Sequence, residues 1–235
     1  MRPTGSVGER GFTLIELLIS LALVAFMMML AWQTTSTAIF TRKNLALEQE
    51  RDHELRVATS RMVRDLGSAY LSSNEDQSSI ERRTLFVGKS EGTVDELRFS
   101  TMAHEVLWAD ANESEQTVVT YQGEADPDDR SKTNLVRKEL RRMPDPLESQ
   151  GETPAEVDLL VRDIERVKFE YYDFRDKTWK ERWDSTQADA ERGRLPTRVR
   201  ITIEVAIDRG DDHETVKYVT QARISLQEEL KFFTN

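Results

Sequence analysis

Glu16 is an acidic residue inside a run of apolar side chains. Residues 12–32 contain 18 apolar residues, and only Thr13, Glu16 and Ser20 interrupt them. A carboxylate costs about 2.5–3.5 kcal/mol near the centre of a membrane helix and less near its ends. No basic residue within 12–32 can pair with it. The partner is then a lipid headgroup, another chain or a new amino terminus created by proteolysis; alternatively, Glu16 only reaches the membrane interface.

Other residue types that could carry chemistry do not form a recognisable constellation. The three histidines, His53, His104 and His213, lie in separate segments without metal-ligand spacing. The chain has no cysteine, which excludes disulfides, thiolate metal sites, iron–sulfur clusters and a cysteine nucleophile. Glycine-rich phosphate loops and the common hydrolase and zinc motifs are also missing from the sequence. We therefore predict no catalytic residue, no cofactor and no metal site.

Two short acidic segments have a chemical and a plain interpretation. Asp126-Pro127-Asp128-Asp129 could supply oxygens to Ca²⁺, but an ordinary turn is the simpler interpretation. Arg209-Gly210-Asp211 lies between two alternating segments and is interpreted as the tip of a hairpin.

The apolar run that contains Glu16 is long enough to cross a membrane. Twenty-one helical residues span about 31 Å, close to the ~30 Å hydrocarbon core. Arg2 and Arg10 precede the run against a single Glu9. The positive-inside rule therefore places residues 1–11 in the cytoplasm and the large domain across the membrane. A cleaved secretory signal peptide is the alternative, but its apolar region is shorter, about 7–15 residues.

Charge separates the same two parts of the chain. The net charge is −10, from 33 basic and 43 acidic side chains among 235 residues. Once Arg2, Arg10, Glu9 and Glu16 are set aside, residues 33–235 retain 31 basic and 41 acidic side chains. The domain after the apolar run therefore carries the whole acidic balance, which argues against sequence-independent nucleic-acid binding.

The remaining chain predicts an α+β architecture, with one long helix packed on antiparallel sheet. Helical spacing over residues 38–72 gives an apolar stripe of Leu55, Ala58 or Thr59, Met62, Leu66 and Ala69-Tyr70. Alternation with period two predicts strands over residues 167–172, 198–207 and 216–226, the last two joined by a hairpin loop at 208–212. Weaker strands are predicted at 84–88, 96–101, 117–122 and 135–141, and surface loops at 74–79 and 143–155.

The residues around Glu16 resemble a known signal. Arg10-Gly11-Phe12-Thr13-Leu14-Ile15-Glu16-Leu17-Leu18 resembles the class III signal of type IV prepilins and type II secretion pseudopilins. The resemblance implies that prepilin peptidase cleaves between Gly11 and Phe12 and that the new Phe12 amine is methylated. It also implies that Glu16 docks the subunit by pairing with the Phe12 ammonium of a neighbour. Such a pair is physically reasonable, because each charge relieves the other at low dielectric.

A second resemblance covers the carboxyl-terminal half. Val167-Lys168-Phe169-Glu170-Tyr171-Tyr172-Asp173, then Trp179 and Trp183, then Leu195-Pro196-Thr197-Arg198-Val199-Arg200-Ile201 follow the order found in minor pseudopilins J of type II secretion systems. This resemblance implies an inner-membrane subunit of the pseudopilus tip. Its implied partners are minor pseudopilins I, K and H and the major pseudopilin, and its implied role is to start assembly of the periplasmic pseudopilus. Its parts would be a cleaved leader (1–11), a membrane helix (12–32), an amphipathic continuation (33–72) and a β-rich periplasmic domain (73–235).

The aromatic residues of this half have two interpretations. Tyr171, Trp179, Trp183 and Trp108 are expected to be core or sheet-covering side chains, and some could line contacts with sister subunits. Two other functions are considered for the chain. The first is a minor type IV pilin of a surface pilus or DNA-uptake system, which would share the leader. The second is a membrane-anchored periplasmic enzyme or binding protein, which would need a concave polar site that the sequence does not indicate.

Overall fold

The computed structural model describes residues 13–73, 84–90, 92–104, 115–140, 155–187, 189–209 and 212–227. The chain divides into two compact units, Met1–Glu50 and Arg51–Asn235. Helix α1, Leu14–Gly67, contributes its first part to one unit and its last part to the other.

The last part of helix α1 buries the predicted apolar stripe. Leu55, Ala58, Met62 and Leu66 recur at steps of three or four and are all buried. The helix ends at Gly67 rather than at residue 72. The backbone leaves the helix there because Ala69 forms a bridge with Thr101 and the Tyr70 N–H donates to the Ser100 carbonyl at 3.1 Å. Glycine also has one of the weakest helix propensities.

Ten strands follow the helix in chain order. They are β1 Phe86–Lys89, β2 Glu96–Thr101, β3 Thr117–Ala125, β4 Thr133–Leu140, β5 Ala155–Val161, β6 Ile164–Asp173, β7 Thr178–Lys180, β8 Trp183–Asp184, β9 Arg198–Arg209 and β10 Asp212–Arg223. A six-stranded sheet has the order β5-β4-β3-β2-β1-β8, and a four-stranded sheet has the order β10-β9-β6-β7. All of these strand pairs are antiparallel.

The two sheets share one core with the helix. Phe86 of the six-stranded sheet meets Tyr171 of the four-stranded sheet edge to face, with ring centroids 5.9 Å apart. Tyr121 and Phe169 form a second contact between the sheets at 6.4 Å. These rings lie in the same apolar cluster as the buried helix residues. Aromatic side chains bury the largest apolar areas, so this cluster supplies much of the hydrophobic stabilisation.

The predicted fold class is confirmed, with differences in detail. Strand β2 has the predicted bounds, and β9 and β10 form the predicted hairpin with Arg209 opposite Asp212. The last part of the helix packs with the two antiparallel sheets. Strands β5, β7 and β8 were not predicted, and Ala155, which was assigned to a loop, begins β5. Loop 74–79 and residues 143–154 lie outside the described residues.

Candidate functional site

The start of helix α1 positions Glu16. The backbone N–H of Glu16 donates to the Thr13 carbonyl at 3.1 Å and to Thr13 Oγ1 at 3.4 Å. Threonine followed three residues later by glutamate is the sequence of a capping box, and the helix dipole favours a carboxylate in the first turn. The capping box and the helix dipole therefore favour glutamate at position 16 within its own chain, in addition to any intermolecular role.

The Glu16 side chain is exposed. Within the described part of the chain, its carboxylate has no hydrogen-bond or ion-pair partner. The Ser20 hydroxyl donates to the backbone carbonyl of Glu16 at 2.7 Å and not to its carboxylate. Gly11 and Phe12, the predicted cleavage and methylation site, lie outside the described residues.

The segment Leu14–Ser36 is long and apolar enough to cross a membrane. It has 23 residues with a mean hydropathy of 2.5, and its side chains are exposed. Its Thr34 and Thr35 hydroxyls donate to the carbonyls of Leu30 and Ala31 at 2.9 and 2.8 Å. Polar groups satisfied inside the helix are compatible with hydrocarbon, where no water can replace them. The segment provides a single-pass membrane anchor.

A buried ionic cluster joins the end of helix α1 to the six-stranded sheet. Arg137 of β4 donates from Nε to Asp65 Oδ2 at 2.7 Å, and both side chains are 0% exposed. Tyr121 donates its hydroxyl to the same Asp65 oxygen at 2.6 Å. Arg137 Nη1 lies 2.5 Å from Glu139 Oε2, and His104 Nδ1 lies 2.6 Å from Glu139 Oε1. Arg137 Nη1 also lies 3.4 Å from Asp158, which is partly exposed, so the cluster reaches the surface at one side. These contacts hold the helix on the sheet.

Charge and burial set the protonation of this cluster. Burial raises the pKa of the Tyr121 hydroxyl, and the adjacent Asp65 carboxylate raises it further. Burial acts to raise the pKa of Glu139, but hydrogen bonding and charge from Arg137 outweigh it and lower that pKa. Arg137 and Glu139 are therefore ionised at neutral pH.

A second ionic cluster lies around Trp183. Lys180 Nζ contacts carboxylates of Asp173, Asp176 and Glu191 at 2.8, 2.9 and 3.0 Å. Arg194 reaches Asp173 at 3.3 Å, and the Trp183 indole N–H donates to the Arg194 carbonyl at 2.9 Å. Because β7 belongs to one sheet and β8 to the other, this cluster fixes the chain where it crosses between the sheets.

The aromatic candidates behave largely as core residues. Tyr171 and Trp183 are buried, as predicted. Trp179 is half-buried, and its ring packs against Tyr172 and Arg200. Trp108 lies outside the described residues.

The acidic turn at Asp126 uses its carboxylates locally. Asp126 Oδ1 accepts hydrogen bonds from the N–H groups of Asp128 and Asp129, and Oδ2 accepts one from Asn134. Asp129 Oδ1 accepts from the Ser131 N–H and hydroxyl. Over the described residues, no three histidine, aspartate or glutamate side chains converge as a metal site would require. The carboxylates of the segment cap their own turn.

The architecture and the amino terminus together define a class. A motif described as a prokaryotic N-terminal methylation motif matches residues 8–32. The long helix begins in this motif and is followed along the chain by antiparallel sheets. This is the organisation of a pilin-like protein with a prepilin-like signal.

A second family match identifies the chain more specifically than the pilin-like class does. The family described as type II secretion system (T2SS), protein J, matches residues 33–209, which is more than half of the chain. The chain belongs to this family and is a minor pseudopilin of a type II secretion system. The resemblance to minor pseudopilins J is thereby confirmed.

Solved structures with a similar arrangement include two at low identity. One is a chain of the GspK-GspI-GspJ complex from the type 2 secretion system of enterotoxigenic Escherichia coli, with 16% identity and a TM-score of 0.46. The aligned region covers 74% of this chain and 97% of the other chain. The other is a type IV-like pilin from Thermus thermophilus, with 9% identity, a TM-score of 0.46, and coverage of 74% and 94%. No curated protein matches the chain.

Proposed function

We propose that this minor pseudopilin is a non-catalytic subunit of the pseudopilus tip that helps to start pseudopilus assembly. Membership of the protein J family is the observation that carries this proposal. The described ionic clusters support a non-catalytic role, because their groups are paired with one another inside the fold. Its partners would be minor pseudopilins I, K and H, with the major pseudopilin below them in the filament.

The amino terminus would enter the filament by processing and charge pairing. Prepilin peptidase would cleave between Gly11 and Phe12, and the Phe12 amine would then be methylated; the methylation motif over residues 8–32 supports this step. The Glu16 carboxylate would pair with the Phe12 ammonium of a neighbouring subunit. The exposed Glu16 side chain, without a partner in the described part of its own chain, supports an intermolecular pair.

The proposed location follows from charge and hydropathy. Residues 1–11 would face the cytoplasm, the segment Leu14–Ser36 would cross the inner membrane, and the domain would lie in the periplasm. The fold would need no disulfides there, since the chain has no cysteine.

Gene deletion tests the assembly role against the pilus alternative. Deleting the gene should abolish secretion of the exoproteins of the type II system, and the intact gene on a plasmid should restore it. Tagged full-length protein extracted from the membrane should carry pseudopilins I and K with it. Normal secretion combined with the loss of a surface pilus or of DNA uptake would instead assign the chain to a minor type IV pilin.

A further inference from the structure

The outer face of the four-stranded sheet carries a row of four side chains that crosses every strand. In spatial order the row consists of Trp179, Tyr172, Arg198 and Arg223. The backbone register aligns each member with the next on the adjacent strand. Their chain neighbours Tyr171, Val199 and Ala222 are buried in the core, so alternation along each strand turns the row outward. We call this set the aromatic–arginine row.

The aromatic half of the row is a preformed apolar surface. The rings of Trp179 and Tyr172 lie 5.2 Å apart at an angle of 57°. The Arg200 guanidinium stacks over Trp179 at 4.0 Å. Phe174, in the turn between β6 and β7 and two residues after Tyr172, is 69% exposed. Tryptophan, tyrosine and arginine are the residues that most often dominate binding energy at protein interfaces.

The cationic half of the row places two like charges side by side. Arg198 and Arg223 are exposed and stand directly opposite each other on β9 and β10. Like charges at directly opposite positions destabilise a sheet. In the described part of the chain, neither arginine has a hydrogen bond, an ion pair or a ring contact. No acid in the described part of the chain neutralises their positive charge.

Three other cations on the same face are matched by acids of this chain. Lys168 Nζ lies 2.7 Å from Glu181, Arg200 lies 3.1 Å from Glu170, and Lys217 lies 3.5 Å from Glu204. The pair of arginines therefore differs from these three cations, each of which is compensated by a carboxylate of this chain. It is also a basic site in a chain whose net charge is −10.

We propose that the aromatic–arginine row binds an acidic segment of another protein. Two carboxylates of that segment would neutralise Arg198 and Arg223, and an apolar side chain would pack on Trp179 and Tyr172. Adjacent strands lie about 4.8 Å apart, so the row is about 14 Å long, which suits one strand or one helix. The net negative charge of the rest of the domain repels an acidic segment at other positions, which favours its binding at the row. Binding at this row does not depend on the leader or on entry into the filament.

Peptide binding to the full-length protein in non-ionic detergent tests this proposal. The probe is a fluorescently labelled peptide in which every second residue is threonine. One tyrosine and two glutamates occupy positions between the threonines, so that in an extended strand they lie on the same side. A second peptide has glutamine in place of both glutamates. The glutamate peptide should bind, its affinity should fall as salt is added, and the glutamine peptide should bind at least about 10-fold more weakly.

Variants of the row then locate the site. Replacing both arginines, Arg198→Gln and Arg223→Gln, should weaken glutamate-peptide binding about 10-fold or more, because each arginine is a charged anchor. Lys217→Gln is the matched control, since Lys217 is a cation on the same face that pairs with Glu204. The control should change affinity less than about twofold. The double variant should unfold at the same temperature as the parent or higher, because a like-charge repulsion is removed.

Three outcomes would overturn the proposal. The first is equal binding of the glutamate and glutamine peptides. The second is an equal loss of affinity in Lys217→Gln, which would indicate general electrostatic attraction. The third is binding only to vesicles of phosphatidylglycerol and phosphatidylcholine, sensitive to the double variant, which would assign the arginines to lipid headgroups.

Discussion

Arg137 of strand β4 and Asp65 of helix α1 form an ion pair whose two side chains are wholly inside the protein. Arg137 Nε donates to Asp65 Oδ2 at 2.7 Å, and the Tyr121 hydroxyl donates to the same oxygen. The pair connects the last turns of the helix to strand β4, which lies next to the edge strand β5 of the six-stranded sheet. Buried ion pairs are fixed partners, because separating them leaves a charge in a medium of low dielectric.

We predict that Asp65→Asn lowers the free energy of unfolding by about 3 kcal/mol, because it leaves the Arg137 charge only partly compensated by Glu139. Urea unfolding of the detergent-solubilised protein, followed by circular dichroism, measures this loss. Asp163→Asn is the matched control, since the Lys132–Asp163 pair is about half exposed and worth at most about 1 kcal/mol. Equal losses in the two variants would show that burial of the Arg137 pair adds nothing.

Gly88 is predicted to resist any substitution. A Cβ at this position would lie 2.0 Å from the Tyr171 hydroxyl and 2.3 Å from Cζ of the same ring, so the buried Tyr171 ring or strand β1 would have to shift. Gly88→Ala should lower the free energy of unfolding by about 3 kcal/mol, at the upper end of the usual cost of overpacking. Gly67→Ala serves as the control, because the nearest atom to its added Cβ is 3.8 Å away. The same urea titration measures both, and a Gly88→Ala protein as stable as the Gly67→Ala protein would contradict the close packing of the sheets.

Asp173 gives the domain a defined acid sensitivity. Burial acts to raise the pKa of Asp173, but hydrogen bonds from Lys180, the Arg175 backbone and Arg194 lower it from 3.8 to about 2. A carboxyl whose pKa is depressed in the folded state stabilises the fold above its ordinary pKa and loses this contribution as the pH falls to the folded value. We therefore predict that Asp173 contributes about 1–2 kcal/mol above pH 4, which disappears between about pH 4 and pH 2.

Denaturant titrations of Asp173→Asn at several pH values check this assignment. The variant should be less stable than the parent at pH 6, and the difference should shrink as the pH approaches 2. Asp176→Asn is the control, because Asp176 bonds the same Lys180 but is 57% exposed. A difference between the Asp173 variant and the parent that stays constant from pH 6 to pH 2 would mean that Asp173 does not carry the acid transition.

The sequence predicted those features that are local along the chain. The methylation motif over residues 8–32 runs continuously into the apolar segment. Strands β9 and β10 alternate clearly because only one side of each faces the core. Cleavage at Gly11 and docking by Glu16 stay predictions. Strand β5 was missed because Val157 and Leu159 remain exposed on an edge strand, where apolar residues do not mark the buried side. The burial of Arg137 was also not predicted from the sequence. Its neighbours Leu135 and Val136 are buried on opposite faces of β4, so alternation does not mark one buried side there.

Features that depend on pairing between distant segments were beyond sequence reasoning. Asp65 and Arg137 are 72 positions apart, and each lies among other charged residues. The aromatic–arginine row requires the register of four strands, and a shift of one residue in any of them would turn its member inward. Trp179 was recognised as a candidate only by its residue type.

Processing of the leader is predicted to depend on Gly11. Intact mass spectrometry of the membrane-extracted protein should show a chain that begins at Phe12 and carries one added methyl group. Gly11→Val should leave the full-length chain, because a side chain beside the cleaved bond obstructs the protease. Gly8→Val, three residues earlier in the same leader, should be processed normally. An unprocessed parent chain in a strain with active prepilin peptidase would contradict the assignment of this signal.

The proposed docking role of Glu16 predicts a defect in assembly without a defect in membrane insertion. Glu16→Gln removes the charge and preserves the shape, so the variant should enter the inner membrane at least as readily as the parent, because a neutral side chain is cheaper in lipid. It should fail to pair with the Phe12 ammonium and should reduce exoprotein secretion at least about 10-fold, as expected for loss of a desolvated charge pair. Ser20→Ala is the control, since Ser20 lies one turn further and, among the residues that the structure describes, its hydroxyl bonds the Glu16 carbonyl alone. Secretion assays, membrane fractionation and recovery of pseudopilins I and K with the tagged protein separate the two steps. If Glu16→Gln supports normal secretion and partner recovery, the carboxylate acts only at the start of its own helix, where Thr13 and the helix dipole already explain its presence.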